Sequence, residues 1–124
     1  WQAFGEADVA IAASGTVLLE LALAGVPHIS CYKLDPVSQL LSRLITSWTA
    51  ALPNMIAGSV VISEYYDSQL RPERLAREAD QLAGDTLHRA AMLSDFDLVR
   101  SRMEVGVPAS RKAAETLLSV LADR

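Results

Sequence analysis

Cysteine is almost missing from this 124-residue chain. Cys31 stands alone, so an internal disulfide and a multi-cysteine metal site are both excluded. It lies in an apolar run, where a buried, inert thiol is expected. An excess of basic charge is missing too. Eleven Lys and Arg face fifteen Asp and Glu, a net charge of -4, which argues against a nucleic-acid binder that works by neutralising phosphates. No apolar stretch reaches membrane-spanning length, and no signal-peptide pattern opens the chain. Internal repeats and low-complexity tracts are absent as well. What is present is 51% hydrophobic and 21% charged, the range of an ordinary globular α/β protein, with length for one compact domain but not two. The first residue is Trp1 rather than Met, and residues 1–6 read as the end of a helix entering a strand, as in a chain cut from something longer.

Asp8 to Ala13 is a short apolar run, the pattern of a parallel strand buried on both faces. Ser14-Gly15-Thr16 interrupts it, and Val17 to Ala24 reads as a helix ended by Gly25, with Pro27 just beyond. Val26 to Lys33 resumes as a second strand, completing one crossover unit. Pro36 suits a first helical turn, and Val37, Leu40, Leu41, Leu44, Ile45 and Trp48 follow as an amphipathic stripe. That stripe fits core packing better than lipid, because its polar face is short of Lys and Arg. Leu52-Pro53-Asn54 breaks the pattern, leaving Met55 to Ala57 at most one turn. Ser59 to Ile62 is a third candidate strand and Glu64 to Gln69 a polar loop. From Pro72 onward the chain is helical. Leu75, Ala79 and Leu82 form one stripe closed by Gly84. A helix capped by Asp85 carries Met92, Phe96, Val99 and Met103, and a last helix carries Ala114, Leu117, Leu118 and Leu121.

The Ser14-Gly15-Thr16 turn is the first candidate site. A strand feeding a glycine turn into a helix leaves backbone N–H groups at the positive helix end, where phosphate binds. In open α/β sheets ligands lie off the carboxyl ends of the strands, which is where this turn falls. The alternative is that Ser14 simply caps a core helix. Glu20 is the sole charged residue between Thr16 and Ala24. It sits four residues from Thr16 on one helix face, and a buried carboxylate there needs a partner such as a pair of sugar hydroxyls; a structural acceptor from a nearby loop is the competing reading. Tyr32 and Lys33 end the second strand on the ligand side, and Lys33 can balance a diphosphate or be merely solvated. Asn54 can donate to and accept from a base or sugar, though Pro-Asn is also plain turn chemistry. His28 and His88 have no second ligand at metal spacing and read as structural.

Ala12-Ala13-Ser14-Gly15-Thr16, Leu19-Glu20, Gly25-Val26-Pro27, Tyr32-Lys33, Leu52-Pro53-Asn54 and Ala57-Gly58 together, in order and spacing, resemble lipid-A-disaccharide synthase. The likeness runs over most of the chain and is strongest from Asp8 to Gly58. It implies a partial Rossmann-like α/β domain of a two-domain, B-type glycosyltransferase, with a short parallel sheet, flanking helices and a helical C-terminal tail. Residues 1–71 would form the nucleotide-sugar-binding portion. Residues 72–124 would be helices packing on it or on a second subunit, as in a homodimer.

The resemblance further implies transfer of 2,3-diacylglucosamine from UDP to 2,3-diacylglucosamine 1-phosphate. It implies too that no metal or cofactor is required, and that the enzyme is a peripheral protein at the cytoplasmic face of the inner membrane. Ser14, Gly15 and Thr16 would face the diphosphate, Glu20 the ribose, and Asn54 would line the nucleotide site, with Tyr32, Lys33 and Glu64 as further candidates. The chain departs from the family pattern after Gly58: Ser59 and Val60 replace a basic and an acidic residue, and Asp67 stands near a glutamine position, while Glu64 is retained. The acceptor site and catalytic base are expected in an N-terminal domain outside these 124 residues, which are therefore expected to be inactive alone. Two other readings remain: another glycosyltransferase or an epimerase using UDP-N-acetylglucosamine, and a non-catalytic α/β assembly module.

Overall fold

The structure is a computed structural model that describes residues 2–13, 15–34, 48–104 and 106–122. The expected stripe from Val37 to Ile45, with Pro36, lies outside the described residues, and so does Ser14; Trp48, at the stripe's end, is exposed. The architecture is α/β. Helix α1 (Gln2–Gly5) leads into β1 (Ala10–Ala12), α2 (Thr16–Ala24) and β2 (His28–Tyr32). Then come α3 (Leu52–Ala57), β3 (Glu64–Tyr66), a 3-10 turn (Asp67–Gln69), α4 (Pro72–Ala83), α5 (Leu87–Met103) and α6 (Ala109–Ala122). The three strands form one parallel sheet in the order β1-β2-β3, with Ala12 opposite Ser30 and Tyr32 opposite Tyr66.

The local reasons are legible. α2 stops because Gly25 adopts φ 77°, and its N–H returns to the Ala22 carbonyl. A side chain there would also meet Arg100, whose guanidinium would lie 2.9 Å from a Cβ. That arginine has a task, since its Nε donates to the Leu23 carbonyl at 3.1 Å. Arg102 likewise donates to Ile56 at 2.7 Å. Two cations of α5 thus satisfy carbonyls at the negative ends of α2 and α3. One core holds the layers together. Leu18, Ile29, Ile62, Leu82, Phe96 and Val99 are all fully buried in it, each worth roughly 2 kcal/mol of apolar transfer.

Several expectations need correction. Ser59 to Ile62 is not the third strand. The N–H groups of Val61 and Ile62 are taken by the Asn54 side chain, so the ladder forms one step later, at residues expected to be loop. The short helix expected over Met55 to Ala57 begins earlier, at Leu52, because Pro53 sits in the first turn, where no N–H is needed. Thr86, not Asp85, caps α5, its hydroxyl accepting from Arg89 N at 3.1 Å. Strand β1 is not buried on both faces, for Ile11 is 51% exposed. Cys31 is half-buried rather than fully enclosed, and Met103 lies exposed rather than on a buried face. Leu117, Leu118 and Leu121 of α6 are also exposed.

His28 is structural. Its ring is fully buried and stacked on Phe96 at 5.4 Å. Nδ1 donates to the Val26 carbonyl at 2.8 Å, while Nε2 has no partner among the described residues. Burial lowers its pKa below 6.5, the carbonyl bond opposing only in part. Below pH 6.5 the unfolded chain therefore binds a proton that the folded chain refuses, so stability is lost as pH falls from 6.5 toward the folded-state pKa. Urea midpoints measured between pH 7.5 and 5 should fall for the wild type, and the part of the slope due to His28 should vanish in His28→Phe.

Candidate functional site

The carboxyl end of the sheet is built from three strand exits. β1 leaves through Ala13 and Gly15 into α2. Gly15 has φ 142° and ψ -165°, a region that essentially only glycine occupies. No side chain among the described residues caps α2; Leu18 N donates to the Gly15 carbonyl at 3.3 Å, and the N–H groups before it lie at the positive helix end. Thr16 is exposed at the first helical position, and Glu20 lies one turn further along. Glu20 is half-buried rather than enclosed, and no described residue gives its carboxylate a hydrogen bond or an ion pair. β2 leaves through Tyr32 and Lys33, both exposed. β3 leaves into Asp67, whose carboxylate accepts from Leu34 N at 2.9 Å and ties the two exits together. Asp67 itself holds φ 41°, a left-handed conformation that Asp tolerates.

Asn54 stands elsewhere. It is 1% exposed. Its Oδ1 accepts from Val61 N at 2.8 Å and Ile62 N at 2.9 Å, while Nδ2 donates to the Ile62 carbonyl at 3.1 Å and to Glu64 at 3.0 Å. The direct nucleotide contact expected of Asn54 is therefore closed to its side chain, whose donors and acceptor are spent inside the fold. Glu64, another expected contact, is similarly committed. It accepts from the Thr49 and Tyr66 hydroxyls, from Ala50 N at 3.1 Å and from Asn54. Burial pushes its carboxyl up, but these four donors together outweigh burial and hold it below the usual carboxylate value. The Tyr66 hydroxyl moves the other way, raised by burial and by the carboxylate it donates to.

The other face of the sheet carries a second polar group. The Tyr65 hydroxyl donates to the buried Glu78, whose other oxygen lies 3.7 Å from His88 Nε2. His88, read from the sequence as structural, thus has an acidic neighbour in Glu78. Among the described residues no three His, Cys, Asp or Glu side chains gather where they could hold a metal ion.

A family model described as lipid-A-disaccharide synthetase matches residues 1–118. The chain belongs to this family. Among its relatives, the lipid-A-disaccharide synthase of Rhodospirillum centenum is 36% identical over 126 aligned residues, covering 100% of this chain and 31% of its own length. That of Nitrosococcus oceani is 38% identical, covering 92% and 29%, and that of Rhodopseudomonas palustris 37%, covering 96% and 31%. The chain spans about a third of the length of the curated relatives it matches. Of the residues expected at the site of this synthetase-family chain, Gly15 and Thr16 stand at the start of α2, Glu20 lies in the middle of that helix, and Tyr32 and Lys33 are at the neighbouring strand exit. Asn54 and Glu64 go to the polar network instead. Sequence reasoning missed Thr49 and Tyr66 in that network, and no local pattern marks them.

Proposed function

We propose that this chain is the donor-binding part of a lipid-A-disaccharide synthase. It holds UDP while 2,3-diacylglucosamine passes to 2,3-diacylglucosamine 1-phosphate. One observation carries the reading: the helix following β1 opens at a glycine-only turn, with no capping side chain among the described residues, at the ligand-binding end of a parallel sheet. The turn formed by Ser14, Gly15 and Thr16 receives the diphosphate, and Glu20 accepts from the ribose hydroxyls. Their chemical contribution is to the leaving group. Charge builds on the departing diphosphate as the anomeric bond breaks, and N–H groups already aimed at it need no reorganisation. Asn54 and Glu64 contribute by fixing the loop and strand behind this end of the sheet.

The base that takes the acceptor hydroxyl proton belongs to the acceptor side of the enzyme. The protein acts as a peripheral protein at the cytoplasmic face of the inner membrane; no described helix is long and apolar enough to cross a membrane. The exposed leucines of α6 are the surface on which the helices of residues 72–124 meet a second subunit.

Titrating UDP into the protein at its natural length tests the reading. Glu20→Ala and Thr16→Val should each weaken binding about tenfold, the worth of one hydrogen bond involving a charged partner. Unchanged affinity in both variants would reject the donor site.

A further inference from the structure

α4 begins with charge of the wrong sign for a helix start. Arg71 is its N-cap residue, Arg74 lies in its first turn and Arg77 follows at the same spacing of three. Cations at a helix N-terminus oppose the macrodipole, and like charges three residues apart repel along one face. Glu73 is the one acidic residue in that first turn. Arg71, Arg74 and Arg77 line one cavity of about 660 Å³ together with Gln69 and a single carboxylate, Glu73. None of the three forms an ion pair among the described residues; Arg74 rests 4.7 Å over the Tyr65 ring, which holds it in place. All three are exposed. In a chain with net charge -4, three of its cations thus converge on one polar hollow at a cost to the helix that bears them.

We infer that this cavity binds a phosphate-bearing anion, a phosphomonoester or diphosphate, at a site whose lining includes neither Gly15 nor Thr16. Guanidinium groups suit this ligand because their paired N–H donors match two phosphate oxygens at once. The bound charge would relieve the repulsion among the arginines and satisfy the positive end of α4. The inference does not depend on the UDP reading.

The test uses the protein at its natural length, saturated with UDP so that any donor site is filled. Pyrophosphate is titrated by calorimetry, and vesicles containing phosphatidic acid, whose headgroup is a phosphomonoester, are co-sedimented in parallel. Arg71→Gln combined with Arg77→Gln should weaken binding of at least one probe about tenfold, while Lys112→Gln on α6 should leave it unchanged. A loss confined to vesicles identifies a lipid headgroup as the source of the phosphate; a loss with pyrophosphate shows that the free group suffices. Both substituted side chains are exposed, so a matching urea midpoint will certify the fold. Wild-type protein that binds neither probe, a double variant equal to wild type with both, or an equal loss in Lys112→Gln overturns the inference.

Discussion

Asn54→Ala should destabilise the folded protein by about 3 kcal/mol or more, read as a lowered urea midpoint with an unchanged slope. The reason is the number of groups this one side chain serves. Val61 and Ile62 are buried, and their N–H groups are satisfied by Asn54 Oδ1. The Ile62 carbonyl and Glu64 both lose a donor as well. Each buried polar group left unpaired costs roughly 1–3 kcal/mol, so the sum exceeds what a lost side chain of this size would cost by packing alone. Met55→Ala, next in the same helix but exposed, is the control and should cost well under 1 kcal/mol. If the two variants unfold at the same urea concentration, the network around Asn54 does not hold the loop before β3.

That network also explains where the sequence misleads. Val60-Val61-Ile62 has the composition of a buried strand, and by local pattern it is one. The contest is decided eight residues upstream, by an amide side chain that takes the two N–H groups before a neighbouring strand can. Strand β3 consequently forms from Glu64-Tyr65-Tyr66, whose charge and tyrosines read as loop. By contrast β1, α2 and β2 announce themselves, because the glycine stops, the apolar runs and the crossover spacing are all short-range signals. Pro53 was ambiguous for a different reason. Proline breaks a helix interior but suits its first turn, and only the position of Ala51 as N-cap decides between them.

The candidate site divides along the same line. Gly15, Thr16 and Glu20 could be grouped in advance, since they lie on six consecutive residues with a helical period between the last two. The set of Thr49, Asn54, Glu64 and Tyr66 could not, because its members come from a loop, a helix and a strand that meet only after the chain has folded. Arg71, Arg74 and Arg77 were within reach, for the spacing of three is written in the sequence; what it could not show is that the three line one cavity.

Gly15→Ala should leave the protein folded yet weaken UDP binding about a hundredfold, as several N–H donors turn away together. A Cβ at this position would meet no atom of the described residues beyond its chain neighbours within 4 Å. The cost of the substitution comes from the backbone: φ 142° is strained for alanine by about 1–3 kcal/mol. The turn can shed that strain by rotating toward negative φ, which swings the N–H groups at the start of α2 off their shared direction. Stability is then largely recovered while the proposed phosphate cradle is lost. The direct test is a calorimetric titration of UDP into wild-type and Gly15→Ala protein at natural length, with urea midpoints taken on the same preparations. Binding by the wild type and a hundredfold weaker association in a folded variant is the expected result. Equal affinity in the two proteins, both folded, would contradict the assignment of this turn as the place where the nucleotide's phosphates are held.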